Sequence, residues 1–210
     1  MPVKIRALAL MDRDRILKNP FASNILDTIV ANCIGTGIKP QPKIADSATK
    51  KRLQSLWLDW TDEADFAGIS DFYGIQATVL RSVAEAGESF MKLCINKNST
   101  VPLRLRVLES EHLDASKDYV SPNGNLVKSG VEFNRSGKHA AYHLFKERPG
   151  DGDVGESVRI SASEILRVYK VLRPGQIRGE PCLASAFTHI QLVFEATTDY
   201  HVPLQPSMNF

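Results

Sequence analysis

Residues 166–186 read LRVYKVLRPGQIRGEPCLASA, and this stretch decides how the chain is divided. Leu166–Leu172 is a short run with β-type composition. Arg173-Pro174-Gly175 closes it, because Pro174 has no N–H for a ladder and Gly175 tolerates backbone angles that other residues resist. Arg178-Gly179 and Glu180-Pro181 make a second turn. Small and apolar residues from Leu183 onward then read as the start of a helix. The stretch is a joint between a β layer and a helix, with no catalytic signature of its own.

Upstream of the joint the pattern is first helical and then β. Ile5–Lys18 carries apolar residues at mixed helical spacing. Asn19-Pro20 interrupts it, and Pro20 suits the first turn of a new helix, which runs over Phe21–Cys33. Phe21, Ile25, Leu26, Ile29 and Val30 form its buried stripe, and Gly35-Thr36-Gly37 stops it. Ile38–Ile44, with Pro40 and Pro42, cannot sit inside a sheet and is an extended edge or linker. Asp46 or Ser47 caps a helix over Ala48–Asp65 with Leu53, Leu56, Trp57 and Trp60 on its apolar face. Asp71 or Ser70 caps another over Phe72–Ala86, which Gly87 ends.

From there the period shifts to two. Ser89–Ile95 and Pro102–Glu109 form a hairpin around Asn96–Ser99. Residues 115–128 are polar and turn-rich. Gly130–Asn134 and Lys138–Lys146 form a second hairpin. Val158–Ile160 is extended, and Ser161 or Ser163 caps a brief turn before the joint. The fold class is therefore α+β: N-terminal helices, an antiparallel β meander and the start of a C-terminal helix. The expected division is a helical part over 1–87, a β-rich part of the same domain over 88–190, and a divergent tail over 191–210, for which disorder is one reading. Pro203 and Pro206 forbid a helix continuing through that tail.

The bulk composition is that of an ordinary globular domain: 43% hydrophobic, 24% charged, net charge +2. Residues 1–60 hold ten Lys/Arg against five Asp/Glu, and residues 61–120 hold six against ten. Three distant cysteines with no CxxC point to a reducing compartment. No apolar stretch approaches the roughly 20 residues of a membrane span, so no membrane partner is expected.

Candidate chemistry is sparse. Cys182 follows a proline in an apolar stretch and reads as a buried, inert thiol. His139 and His143 lack further ligands at compatible spacing. Glu109, Glu111, His112 and Asp114 form an acidic cluster at a strand end. It reads as a solvated turn, with a metal-dependent nucleic-acid-processing enzyme as the alternative, testable as nuclease activity lost on Glu111→Ala. A DNA-binding module using the basic N-terminal part is a third reading, testable through salt dependence. Gly35-Thr36-Gly37 follows a helix and lacks the lysine of a phosphate loop. No enzyme activity, cofactor or metal is expected.

Several segments together resemble bacteriophage portal proteins of the lambda family. Asn19-Pro20-Phe21-Ala22 and Asn32 through Gly35-Thr36-Gly37-Ile38-Lys39-Pro40-Gln41-Pro42 are similar to its N-terminal pattern. Leu56-Trp57, Trp60, Asp71-Phe72-Tyr73-Gly74 and Glu85-Ala86-Gly87-Glu88-Ser89-Phe90 follow in order. Then come Leu108-Glu109, His112-Leu113-Asp114, Gly130–Phe133 and Ala141–Leu144. The joint itself supplies Arg173-Pro174-Gly175, Arg178-Gly179 and Pro181. The resemblance covers roughly residues 8–190 and fades after Ile190.

That resemblance implies a structural protein, not an enzyme. Portal subunits form a ring, typically a dodecamer of identical chains, at one vertex of the virion. Double-stranded DNA is packaged and ejected through it, and terminase and other head and tail proteins dock on it. The implied location is the virion, and the host cytoplasm before assembly. This helix-then-β region corresponds to the wing, and the joint to the exit toward the channel-forming stem. Loss of resemblance after Ile190 implies a truncated product that builds no working channel by itself. Closed rings in negative-stain images would refute that expectation.

Overall fold

The computed structural model describes residues 18–149 and 155–199. The expected helix Ile5–Lys18 and the segment 200–210, with Pro203 and Pro206, lie outside the described residues, apart from Lys18. Three helices come first: α1 (Pro20–Ile34), α2 (Ser47–Asp62) and α3 (Phe72–Ala86). Each starts where a side chain can satisfy the free amides of a first turn. Asn19 accepts from Phe21 and Ala22, Asp46 from Ala48 and Thr49, and Asp71 from Gly74. Gly35 and Gly87 close α1 and α3, both with positive φ.

The β region is two antiparallel sheets rather than one continuous meander. β1 (Glu88–Ile95), β2 (Leu103–Glu109) and β8 (Ile165–Tyr169) form a three-stranded sheet in the order β2-β1-β8. The second sheet is a true meander of five strands: β3 (Tyr119–Val120), β4 (Leu126–Lys128), β5 (Val131–Phe133), β6 (His139–Leu144) and β7 (Val158–Ser161). The turn-rich stretch 115–128 thus contains two short strands, closed by the Pro122-Asn123-Gly124 loop with Gly124 at φ 83. A 3₁₀ turn over Ser110–His112 and a bridge from Leu113 to Leu144 carry the chain from one sheet to the other.

Three small cores hold these layers together. Trp60, Ala64, Ile75, Val79 and Leu105 pack α2 and α3 on one face of the three-stranded sheet. Phe90, Leu108, Leu113, Val131, Tyr142, Leu144 and Ile165 fill the space between the two sheets. The two faces follow the strand alternation: Met91 and Leu93 pack toward the helices, while Phe90 points to the other sheet. Full burial of a side chain such as Phe90 is worth about 1.5–3 kcal/mol. The third core joins Ala22 and Leu26 of α1, Ala84 of α3 and Leu183, with Ile190 packed against them.

The last helix, α4 (Phe187–Asp199), begins later and runs further than the sequence pattern implies. Residues 182–186 are turns, with Ala184 N–H donating to Pro181 and Ala186 N–H to Leu183. Residues 191–199, assigned from sequence to a divergent tail, are helical, and a Gln191–Glu195 contact of 2.8 Å spans one turn. Cys182 is exposed, not buried, because these turns place it outside the core that takes Leu183. No helix among the described residues is long and apolar enough to cross a membrane.

Candidate functional site: a buried carboxylate at the exit joint

Glu88 opens β1 and is wholly buried. A carboxylate in that position is costly unless several donors surround it. Four donations do so. Arg167 on β8 donates through Nε at 3.0 Å and through Nη2, Arg178 donates through Nε, and the Gly179 N–H donates at 3.3 Å. Arg167 is itself buried and lies over the rings of Phe90 and Tyr169, at 5.5 and 4.3 Å. It also donates to the Ile177 carbonyl. Register explains how Arg167 arrives there, since Phe90 of β1 pairs with Arg167 and Glu88 with Tyr169.

Backbones meet at the same point. A Cβ on Gly87 would sit 2.5 Å from the carbonyl carbon of Gly179, and one on Gly179 would collide with the Gly87 carbonyl oxygen. Gly87 also has φ 85 as the residue that ends α3. Cys182 N–H donates to the Ala84 carbonyl at 3.0 Å, tying the exit to α3 once more.

Gln176 folds the turn. Its amide accepts from Leu172 N–H at 2.7 Å and donates to the carbonyls of Lys170 and Arg178 at 3.2 and 2.8 Å. Gly175 beside it has φ 71. Arg173 lies 3.6 Å from Glu180 across the loop. At the far end, Asn19 Nδ2 donates to Gln191 Oε1 at 3.3 Å, joining the cap of α1 to α4. The chain leaving the sheet is thus held by ions, by a side-chain staple and by glycine contact.

The sequence-singled residues fall into three groups. Gly87, Glu88, Arg173, Pro174, Gly175, Arg178, Gly179 and Pro181 come together at this joint, with Asn19 and Pro20 close to its helical end. Gly35, Thr36, Gly37, Pro40, Pro42, Asp71, Phe72 and Tyr73 gather around α1, α2 and α3. There Gln76 clamps both backbone groups of Ile38 at 2.7 and 3.1 Å. A Cβ on Gly37 would run into the Tyr73 ring. The third group, Glu109, His112 and Asp114, forms no shared site, and it is not the solvated turn expected: Glu111, His112 and Asp114 are buried, and of the other two Glu109 acts on His112. Glu109 meets Arg148 at 2.8 Å. Asp114 accepts from Ser116 and Ser157 at 2.5 and 2.6 Å. Burial pushes the Asp114 carboxyl up, but those hydrogen bonds outweigh it and the net shift is downward. Burial holds His112 below the ordinary histidine value. Among the described residues no group of three His, Cys, Asp or Glu side chains is placed to share a metal ion.

Sequence reasoning missed Arg167 and Arg104, and it gave Gln176, which lies in the family-like run at the joint, no role of its own. Arg167 sits at an alternating position where the pattern puts a solvated residue. Arg104 likewise is buried between the Val101 and Leu103 carbonyls, Ser99 and Glu63. An arginine inside a β run, with a glutamate at the start of another, was the available signal.

The chain is similar to known proteins along most of its length. Residues 4–198 match the family described as phage portal protein, lambda family. The match passes through residues 191–198, which corrects the reading that resemblance ends at Ile190. A probable portal protein from Halomonas phage phiHAP-1 is 26% identical over 180 residues, covering 80% of this chain and 35% of the relative. The chain therefore spans about a third of that relative's length. Two solved structures share the fold. The neck of an empty GTA particle computed with C6 symmetry gives a TM-score of 0.56 at 14% identity, covering 95% of this chain and 48% of that one. The virion of a native gene transfer agent particle gives 0.54 at 13% identity, covering 99% and 52%. With the family pattern covering nearly its whole length, this chain belongs to the lambda family of phage portal proteins.

Proposed function

We propose that these residues are the wing of a ring-forming portal subunit, and that the joint at Glu88 hands the chain from the wing to the part of the ring that borders the channel. The observation that carries this reading is the clamp around Glu88. A wholly buried carboxylate with two arginines holds the chain between β8 and the turns that lead to α4. A ring through which DNA moves needs each subunit to leave its wing at the same angle, and a rigid joint supplies that.

In this reading the protein is structural and carries no catalysis of its own. Its partners are identical subunits, double-stranded DNA passing through the channel, and the terminase and head and tail proteins that dock on the ring. Its place is the portal vertex of the virion, after assembly in the host cytoplasm.

A graft tests this. Residues 19–198 replace the matching segment of the Halomonas phage relative, and the purified chimera is imaged by electron microscopy. Closed rings like those of the unmodified relative are the expected result. A chimera that is folded by circular dichroism yet stays monomeric would overturn the reading.

A further inference from the structure

Two apolar features lie on opposite sides of the helical layer, and each is held rigid. The first is the loop after α2. The Asp65 carboxylate accepts from the N–H groups of Ala67, Ile69 and Ser70 at 3.3, 2.9 and 3.1 Å. Phe66 N–H donates to Leu105, and Leu105 N–H to Ala64, at 2.9 and 2.7 Å. This locked loop holds Phe66 54% and Ile69 88% exposed. An isoleucine so exposed on a loop so restrained is a knob that the described residues leave almost uncovered.

The second feature is a groove of about 500 Å³ lined by Pro40, Pro42, Leu53, Trp57, Leu58 and Tyr73. One wall is the proline segment, which Gln76 clamps to α3. Leu53 and Leu58 remain exposed in it.

Charge flanks the two features with opposite sign. Residues 39–52, around the groove, hold five Lys/Arg and one acid. Residues 59–71, leading to and around the knob, hold five acids and no Lys/Arg, and the cation that meets the knob is Arg106 of β2, over the Phe66 ring. Direction separates them too. Tyr73 lines the groove, while Ile75 and Thr78 line the hollow beside Phe66 and Ile69. At about 100° per residue those two lie about 200° and 140° around α3 from Tyr73.

From this we infer that the Phe66/Ile69 knob of one copy seats in the Pro40/Trp57/Tyr73 groove of a second copy of this chain. A knob and a groove on different faces make a head-to-tail contact, which closes into a ring when the rotation allows. Opposite charges steer and register the two surfaces, and two rigid surfaces lose little entropy on meeting. The inference rests on the ring reading above and assigns that ring a subunit contact.

Disulfide trapping tests it on the full chain. Cys33, Cys94 and Cys182 are first changed to alanine. Leu53→Cys and Ile69→Cys together are expected to give, on mild oxidation, a ladder of cross-linked oligomers that thiol dissolves. Ile69→Cys alone is expected to give none. A dimer from Ile69→Cys alone would mean a two-fold contact and would overturn the proposal. In the native-cysteine chain, sedimentation reads the same contact. Ile69→Asp is expected to weaken self-association about tenfold or more, the loss typical of an interface anchor, with an unchanged circular dichroism spectrum, and Ile69→Leu to preserve it. Self-association that Ile69→Asp leaves untouched, with no ladder, would place the subunit contact elsewhere while the ring reading stands. A chain that stays monomeric to about 1 mM would overturn this contact, while the chimera described above decides the ring reading separately.

Discussion

Gly87 and Gly179, ninety-two positions apart in the sequence, touch backbone to backbone. Neither can carry a side chain without moving the other. Gly87→Ala also meets a left-handed φ of 85. It is expected to cost about 2–4 kcal/mol, a left-handed backbone penalty added to an overpacked contact. Urea denaturation followed by circular dichroism measures it, and a midpoint equal to the parent's would show that the two backbones do not meet.

Removing the carboxylate at Glu88 strands two arginines. Glu88→Ala is expected to destabilise by about 3–5 kcal/mol, because Arg167 is left charged and buried. Glu88→Met with Arg167→Met should recover much of that loss, since a buried ion pair and an apolar pair of similar size differ little. Thermal melts of both variants decide this, and a double variant less stable than the single one contradicts it.

The staple at Gln176 holds three backbone groups. Gln176→Ala is expected to cost about 1–3 kcal/mol if those groups stay buried without partners. Hydrogen exchange gives a sharper readout: the Leu172 amide should exchange much faster while the amides of β1 keep their protection.

Acid should weaken the sheet that carries His143. Burial holds His112, His139 and His143 below the ordinary 6.5, with Glu132 partly opposing that at His143. A folded histidine that binds its proton less tightly than the unfolded one favours folding above about pH 6.5. That contribution falls as pH drops toward the folded value. Glu132 adds to it at lower pH. The hydrogen bond from Arg159 holds its carboxyl below the ordinary 4.5, so its contribution is present above that value and lost below it. Melting temperature is expected to fall between pH 7 and 5 and again below 4.5, and His143→Gln should flatten the first fall.

Local signals made the helices legible. Asp71, Gly87 and the apolar stripe of α3 mark its ends as the structure has them, because caps and glycines act within a few residues. Both hairpins were equally readable. What sequence could not reach was the partner of each edge. β8 pairs with β1 across the whole second sheet, and nothing near Leu166 announces that choice. Nothing local sets Arg104 or Arg167 apart from the other residues of their β runs. Arg167 is buried because Glu88 waits inside, and Arg104 because the Val101 and Leu103 carbonyls and Ser99 take its guanidinium, with Glu63 meeting it from the exposed side; such distant partners leave no mark on local periodicity. The start of α4 slipped for a simpler reason. Leu183 packs into a helical core from a turn, so its hydrophobicity mimicked a helix face.

The strand order β2-β1-β8 makes the five-stranded sheet an excursion. The chain departs after Glu109 on one side of β1 and returns at Ile165 on the other, and only then completes the glycine contact. Lengthening such an excursion is thermodynamically inexpensive, at about 0.6 kcal/mol for each doubling of a flexible loop. The five-stranded sheet can therefore be enlarged or trimmed at little cost, while the direction in which the chain leaves stays where Glu88 sets it.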